Sequence, residues 1–254
     1  MRLGNRLGMA AAMLTLLSGT MYADTFFGET LSDGTTFGGS TPAAAAASFL
    51  TAANVAGVVG TENFDEFPAA DSAGATNIPT QLTFGGTGTA ALSGSGYYVR
   101  ATNDSGRFAV STPNYLDVNG IITMNFNAPI TAFGFYGTDI GDFFGTLTLD
   151  LTMSDGSTVQ DLVPNAVAGN LDIPGQNPES GSLLYFGLTS TVGITSIQMN
   201  DTNGSFDGFG FDDFSVAWQQ SATGGPSVPE PTSLAGLVGF ALLGLTAIRR
   251  RKSA

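Results

Sequence analysis

The sequence contains no cysteine and no histidine. The first absence excludes a disulfide framework, a thiol nucleophile and thiolate metal sites. The second removes the commonest general base and the commonest zinc ligand. Positive charge is scarce as well. Lys and Arg number eight in 254 residues, and six of them sit at the two ends. Arg100 and Arg107 alone face 20 of the 21 acidic residues, which lie between Asp24 and Pro226. A chain so acidic in its middle is repelled by nucleic acid and by anionic lipid, which excludes nucleic acid as a partner. It attracts divalent cations, basic partners or, through such cations, anionic polysaccharide. The plainer alternative is an acidic surface that keeps a secreted protein soluble.

Both ends read as targeting segments. Residues 1–23 have the order of a secretory signal peptide for the Sec export machinery. Arg2 and Arg6 form the basic start, LGMAAAMLTLL (Leu7–Leu17) the short apolar core, and Ala23 offers a small residue for cleavage before Asp24. A membrane anchor is the alternative, but the run is too brief to span. At the other end, residues 232–248 carry no charge and predict a transmembrane helix. At ~1.5 Å per residue they reach about 25 Å, just across a hydrocarbon core. Arg249, Arg250, Arg251 and Lys252 then hold that end in the cytoplasm, so the middle faces outward. Pro229 and Pro231 keep Val228–Pro231 extended, a segment that a processing enzyme can grip.

The order Val228, Pro229, Glu230, Pro231, apolar helix, Arg-rich end resembles the PEP-CTERM sorting signal of Gram-negative bacteria. The resemblance implies recognition by an exosortase, a membrane-embedded cysteine transpeptidase or protease. It also implies a cargo tied to exopolysaccharide or biofilm. The expected path runs from the inner membrane, with the domain periplasmic, to the cell surface or extracellular matrix. A plain single-pass anchor is the alternative, and whether the mature form is released or anchored stays open.

Between the ends, DTFFGETLSDGTTFGGS reads as Gly-rich and irregular, and TPAAAAASFLTAANVAG as a helix. Thr41 can cap that helix, Pro42 suits its first position and Gly57 ends it; a low-complexity spacer is the alternative. From Thr61 onward the pattern is strand-like. Ile122, Met124 and Phe126 share one face, Pro129 is expected to break the strand, and Phe133 and Phe135 resume it. Leu147, Leu149, Leu151 and Met153 alternate with Thr146, Thr148, Asp150 and Thr152, and Asp155-Gly156 supplies a hairpin turn. Short strands without alternating helices predict an all-β fold, an antiparallel β-sandwich of jelly-roll type with one short N-terminal helix. The expected divisions are a signal peptide (1–23), a Gly/Ala-rich segment with the helix (24–60), the sandwich (61–220), a linker (221–227) and the sorting tail (228–254). The run of motifs from SFL (Ser48–Leu50) through TENFDEF to FDGFGFDDFSV is similar to PEP-CTERM cargo proteins with lectin-like or carbohydrate-module-like sandwiches, which implies the fold and a matrix setting.

Three groups of residues are candidates for chemistry. In GFGFDDFSVAW, Phe209 and Phe211 share one phase while Phe214, Val216 and Trp218 share the other, so a β-bulge is expected at Asp212-Asp213. With Asp65 or Glu66 from NFDEF brought close on a partner strand, these carboxylates are candidate ligands for a structural Ca2+; aspartates facing water at a strand edge are the alternative. Tyr97, Tyr98 and Arg100 are a candidate sugar contact or, equally, cross-strand packing. Asp139 and Asp142 read as a turn pair. No serine elbow, phosphate-cradling loop or histidine pair occurs, and accidental carboxylate pairs are unavoidable among so many acids. The expected function is therefore a non-enzymatic, exosortase-sorted surface or matrix protein, structural or carbohydrate-binding. The rivals are a secreted glycoside hydrolase acting on matrix polysaccharide and an ice-binding surface protein.

Overall fold

Two long strands organise the chain. β8 (Ile121–Thr138) and β11 (Leu183–Asp201) run antiparallel side by side, and the two halves of each belong to different layers. Ile130 pairs with Ile194 and Asn125 with Ser196, so four β8 residues oppose one β11 residue. Pro129 lies in that interruption. The break expected there is instead a corner. A residue without an N–H is tolerated where the ladder is already interrupted, and the bulge lets one strand pass from sheet to sheet.

The computed structural model describes residues 22–31, 34, 36–69, 78–141, 146–165, 181–201 and 208–219. All fall within one compact unit, Met1–Gln219. Most of the signal peptide, the linker and the whole sorting tail, with Val228–Pro231, the helix 232–248 and Arg249–Lys252, lie outside the described residues. No helix among the described residues is long and apolar enough to cross a membrane.

In one layer, β9 (Leu147–Met153) and β10 (Thr158–Leu162) flank the C-terminal half of β11. On the other side, β5 (Thr89–Gly94) and β4 (Gln81–Thr83) extend from the N-terminal half of β8. In the second layer, β1 (Tyr22–Thr30) and β2 (Thr36–Phe37) flank the N-terminal half of β11, while β12 (Phe209–Gln219) pairs with the C-terminal half of β8. The far edge of β12 is divided between β7 (Tyr115–Val118), continued by β6 (Tyr97–Arg100), and β3 (Gly57–Glu62). The fold is the expected all-β antiparallel sandwich with one helix, α1 (Pro42–Ala56).

The two layers clasp one apolar core. Leu147, Leu149, Leu151, Met153, Ile197 and Met199 of the first layer meet Phe133, Phe135, Phe186, Phe211 and Phe214 of the second. The Phe135 ring packs edge-on against Phe211 and Phe214 at centroid separations of 5.5 and 6.1 Å, a geometry that adds to the area buried. β9 keeps a strict in–out alternation because water covers its outer face. The second layer does not, because α1 covers its outer side.

The helix forms as its sequence predicts. The Thr41 hydroxyl accepts from Ala44 N–H at 3.3 Å, Pro42 follows, and the Gly57 N–H closes on the Ala53 carbonyl. Its buried face is Ala45, Ala46, Phe49 and Ala53, set against Ala132, Tyr185 and Ala217 of the sheet. Phe49 sinks into a gap left by two glycines. A Cβ on Gly187 would stand 2.5 Å from its ring, and one on Gly134 would stand 3.0 Å from it. Small residues in three adjacent strands thus make the seat for one aromatic ring.

Two expectations fail here. The segment DTFFGET, read as irregular, is β1, with Phe27 turned to the core and Phe26 to the helix. The stretch 24–60 is therefore part of the sandwich, since it supplies β1, α1 and most of β3. The alternation test missed β1 because Phe26, Phe27, Gly28 and Glu29 are covered one after another, on both faces of the strand.

Truncating Phe49 to Ala should cost about 3–5 kcal/mol in denaturant unfolding, as for other fully buried aromatics. Val55→Ala, on the exposed side of the same helix, should stay within ~0.5 kcal/mol. Equal losses from the two would show that α1 does not seat on this sheet through Phe49.

Candidate functional site

The predicted slip in β12 is real. Asp212 pairs with Tyr136 and Ser215 with Gly134, so Asp213 and Phe214 together oppose Phe135. Asp213 takes φ +49°, a conformation an aspartate tolerates better than most residues. Phe209, Phe211, Phe214, Val216 and Trp218 all reach the core as a result.

The bulge leaves two adjacent carboxylates beside the loop before β7. Asp212 is 1% exposed. Its Oδ2 accepts the N–H groups of Val110 and Ser111 at 2.8 and 2.7 Å, and its Oδ1 accepts its neighbour's N–H at 2.8 Å. The Ser111 hydroxyl stands between both acids, 3.2 Å from Asp212 and 3.0 Å from Asp213. Next to them, Asp65 accepts from the Asn114 N–H at 3.1 Å and from the Asn63 amide at 2.8 Å. The Asn114 side chain in turn donates to the carbonyls of Phe64 and Phe67. Two loops and the bulged strand are laced together by carboxylates and amides.

A cleft of about 240 Å³ opens beside this corner, lined by Thr61, Glu62, Asn63, Glu66, Thr83, Gly85 and Gly86. Glu62 is largely buried there. It accepts from Phe64 N–H on one oxygen and from Thr83 N–H on the other, both at 2.9 Å, which ties β3 of one layer to β4 of the other. The β4–β5 turn docks on β3 where Gly60 has no side chain; a Cβ there would strike Thr87 and the Phe84 carbonyl.

The domain's two arginines are both committed elsewhere. Asp117 is fully buried, held by Arg100 Nε at 2.7 Å and by Arg107 at 3.2 Å. The same two guanidiniums reach Asp104 at 2.6 and 3.2 Å. Arg100 also donates to the Tyr98 hydroxyl at 2.6 Å. Burial pushes the Asp117 carboxyl above the usual range, and the two guanidiniums draw it partly back.

The residues predicted from sequence are therefore placed as follows. Asp65, Asp212 and Asp213 do meet at one corner, but NFDEF does not begin a partner strand: β3 ends at Glu62, and Asp65 comes from the turn that follows it. Glu66 instead faces the cleft with Glu62. The four do not fit one calcium shell: backbone N–H groups already fill the inward-facing oxygens of Asp212, and calcium needs six to eight oxygens. Among the described residues no group of three or more His, Cys, Asp or Glu side chains is arranged to hold a metal ion. Tyr97 is corrected from sugar platform to core residue, 5% exposed with its hydroxyl donating to the Pro79 carbonyl. Tyr98 and Arg100 point to the other face and serve the ion network. Asp139 is buried at a turn, where it accepts from Gly181 N–H at 3.1 Å; Asp142 lies outside the described residues. Sequence reasoning missed Glu62, Ser111, Asn114 and Asp117. Only Asp117 carried a signal, an acid inside the apolar strand YLDV.

No protein-family model matches the chain, and no curated protein does. Solved structures align with it over part of its length. The K2 cleaved adhesin domain of Lys-gingipain is 11% identical with a TM-score of 0.39, covering 63% of this chain and 99% of its own. The CBM22-1 xylan-binding domain of Xyn10C from Paenibacillus barcinonensis is 14% identical at 0.34, covering 66% and 98%. TmCBM61, solved with β-1,4-galactotriose, is 13% identical at 0.28, covering 52% and 88%. At scores this low the likeness carries no argument for a ligand or an activity.

Two measurements follow from the acidic corner. Burial, then the charge of Asp213, pushes the Asp212 carboxyl from its ordinary 3.8 up to about 7, against the pull of its backbone donors. Glu62 and Asp213 are raised too, burial again first. A group with a raised folded pKa stabilises fully below its unfolded value and loses that contribution as pH rises through the folded one. Denaturation midpoints at fixed ionic strength should thus fall between about pH 4 and about pH 7, and fall less in Asp212→Asn. A midpoint that rises across that window overturns the assignment. Calcium and magnesium at matched ionic strength should raise the melting temperature equally, by screening the excess of acids. A calcium-specific increment that Asp212→Asn or Asp213→Asn abolishes would restore the ion to this corner.

Proposed function

We infer that this chain is an exported, non-catalytic β-sandwich protein of the bacterial surface or exopolysaccharide matrix. It leaves the cell through the Sec machinery, is processed by an exosortase at its tail, and binds extracellular polysaccharide through the sandwich. The observation that carries the reading is the order of Val228–Pro231, an uncharged apolar run and Arg249–Lys252, set just beyond a folded unit that closes at Gln219. Such a tail tethers a finished domain during export, and the proline-bounded stretch is where an enzyme can cut it free. The non-catalytic part rests on the buried carboxylates. Asp117, Asp212 and Glu62 are each held by internal donors, and so serve the fold.

A second reading has one observation in its favour. Glu62 and Glu66 line the same cleft, and glycoside hydrolysis uses two carboxylates flanking a bond. Release of reducing sugar that Glu62→Gln and Glu66→Gln each abolish, at an unchanged melting temperature, would establish the hydrolase.

Intact mass of the exported protein should show an N-terminus at Asp24 and loss of the tail. Substituting Pro229, Glu230 and Pro231 together should leave the chain uncleaved and in the membrane fraction. Normal processing of that triple variant would reduce the tail to a plain anchor.

A further inference from the structure

Resting on the polysaccharide-binding reading, we propose that the cleft between β3 and β4 binds an uncharged saccharide and that the domain discriminates against acidic polysaccharides. The first support is the lining. Among the described residues, every polar side chain in it, from Thr61, Glu62, Asn63, Glu66 and Thr83, offers an oxygen, and none brings a positive charge. Glu62 is a pre-positioned acceptor: two backbone N–H groups fix its carboxylate, and each oxygen keeps a second lone pair. Glu66 stands exposed at the rim. Gly85 and Gly86 form a wall without side chains, so the backbone itself borders the opening. A ligand that fits these groups brings hydroxyl donors. A ligand that brings carboxylates meets like charge at 332/(ε·r) with nothing to offset it.

The second support comes from the rest of the domain. An acidic polysaccharide is normally held by arginine forks. Here Arg100 and Arg107 are the only basic side chains between Asp24 and Pro226. Both are spent on Asp104 and Asp117, with about 12–13% of each side chain exposed. The surface that reaches a matrix is left with acids alone. The cleft volume, about 240 Å³, lies just below the ~300–1,000 Å³ of drug-sized sites, which suits a short stretch or an end of a chain.

The test uses the full chain in a non-glycosidic detergent and affinity electrophoresis through soluble polysaccharides. Dextran, mannan, xyloglucan and galactan are the neutral probes, alginate and polygalacturonate the acidic ones, all in EDTA. At least one neutral polysaccharide should retard the protein. Glu66→Ala should weaken that retardation about tenfold, the loss of a hydrogen bond to a charged acceptor. Thr83→Arg, which fills the cleft, should abolish it, and both variants should keep the parent melting temperature. The acidic probes should have no effect. Retardation by alginate or polygalacturonate in EDTA overturns the inference and leaves the polysaccharide reading standing. Neutral binding indifferent to both variants overturns the cleft assignment alone. No retardation by any probe overturns both the inference and the polysaccharide reading, and leaves sorting by the tail untouched.

Discussion

The interruption shared by β8 and β11 is the constraint on which the rest of this sandwich depends. Because each strand carries hydrogen bonds in both layers, the layers are joined by covalent chain at the middle of the sheet and not only at its loops. Their spacing is therefore tied to the backbone of the shared strands, and the phenylalanines of β8, β11 and β12 fill the gap between them. The same crossing decides which strands see water. β9 and β10 lie beyond the crossing and keep a wet face, whereas the second layer is enclosed by core on one side and α1 on the other.

Charge is arranged around this frame in an unusual economy. With only two basic residues available, the domain concentrates both on one buried acid, Asp117, and on its partly buried neighbour Asp104. Two further buried carboxylates among the described residues, Asp212 and Glu62, are held by neutral donors. Asp212 and Glu62 solve this in the same way, by accepting backbone N–H groups from another segment. Each acid thereby becomes a fastening between chain segments distant in sequence, and the polar corner and the cleft are by-products of those fastenings.

How legible this was depended on which faces are wet. The β9–β10 hairpin could be read directly, because alternation survives where one face meets solvent and Gly156, at φ +85°, marks its turn. The bulge at Asp212-Asp213 could be read from the change of phase between Phe211 and Phe214, since only a slip puts all five aromatic and aliphatic residues inside. The helix was announced by Thr41 and Pro42. β1 was hidden, because a strand covered on both sides shows no alternation. Gly28, which looked like loop glycine, is there because the helix start passes within contact distance; a Cβ would stand 2.6 Å from the carbonyls of Ser40 and Thr41. The acceptor roles of Asp212 and Glu62 were not legible at all. They depend on backbone donors as much as 102 positions away, and no local pattern records such a pairing.

The last strand has a mechanical meaning. β12 is bonded on both edges, to β8 on one side and to β7 and β3 on the other, and chain continues beyond it at Gln219. Inter-strand hydrogen bonds lie across the strand direction. A pull transmitted along β12 from that end loads those bonds together in shear, and does not peel them open one at a time. Tension applied to the chain at Gln219 would thus be borne by a strand that is bonded along both edges.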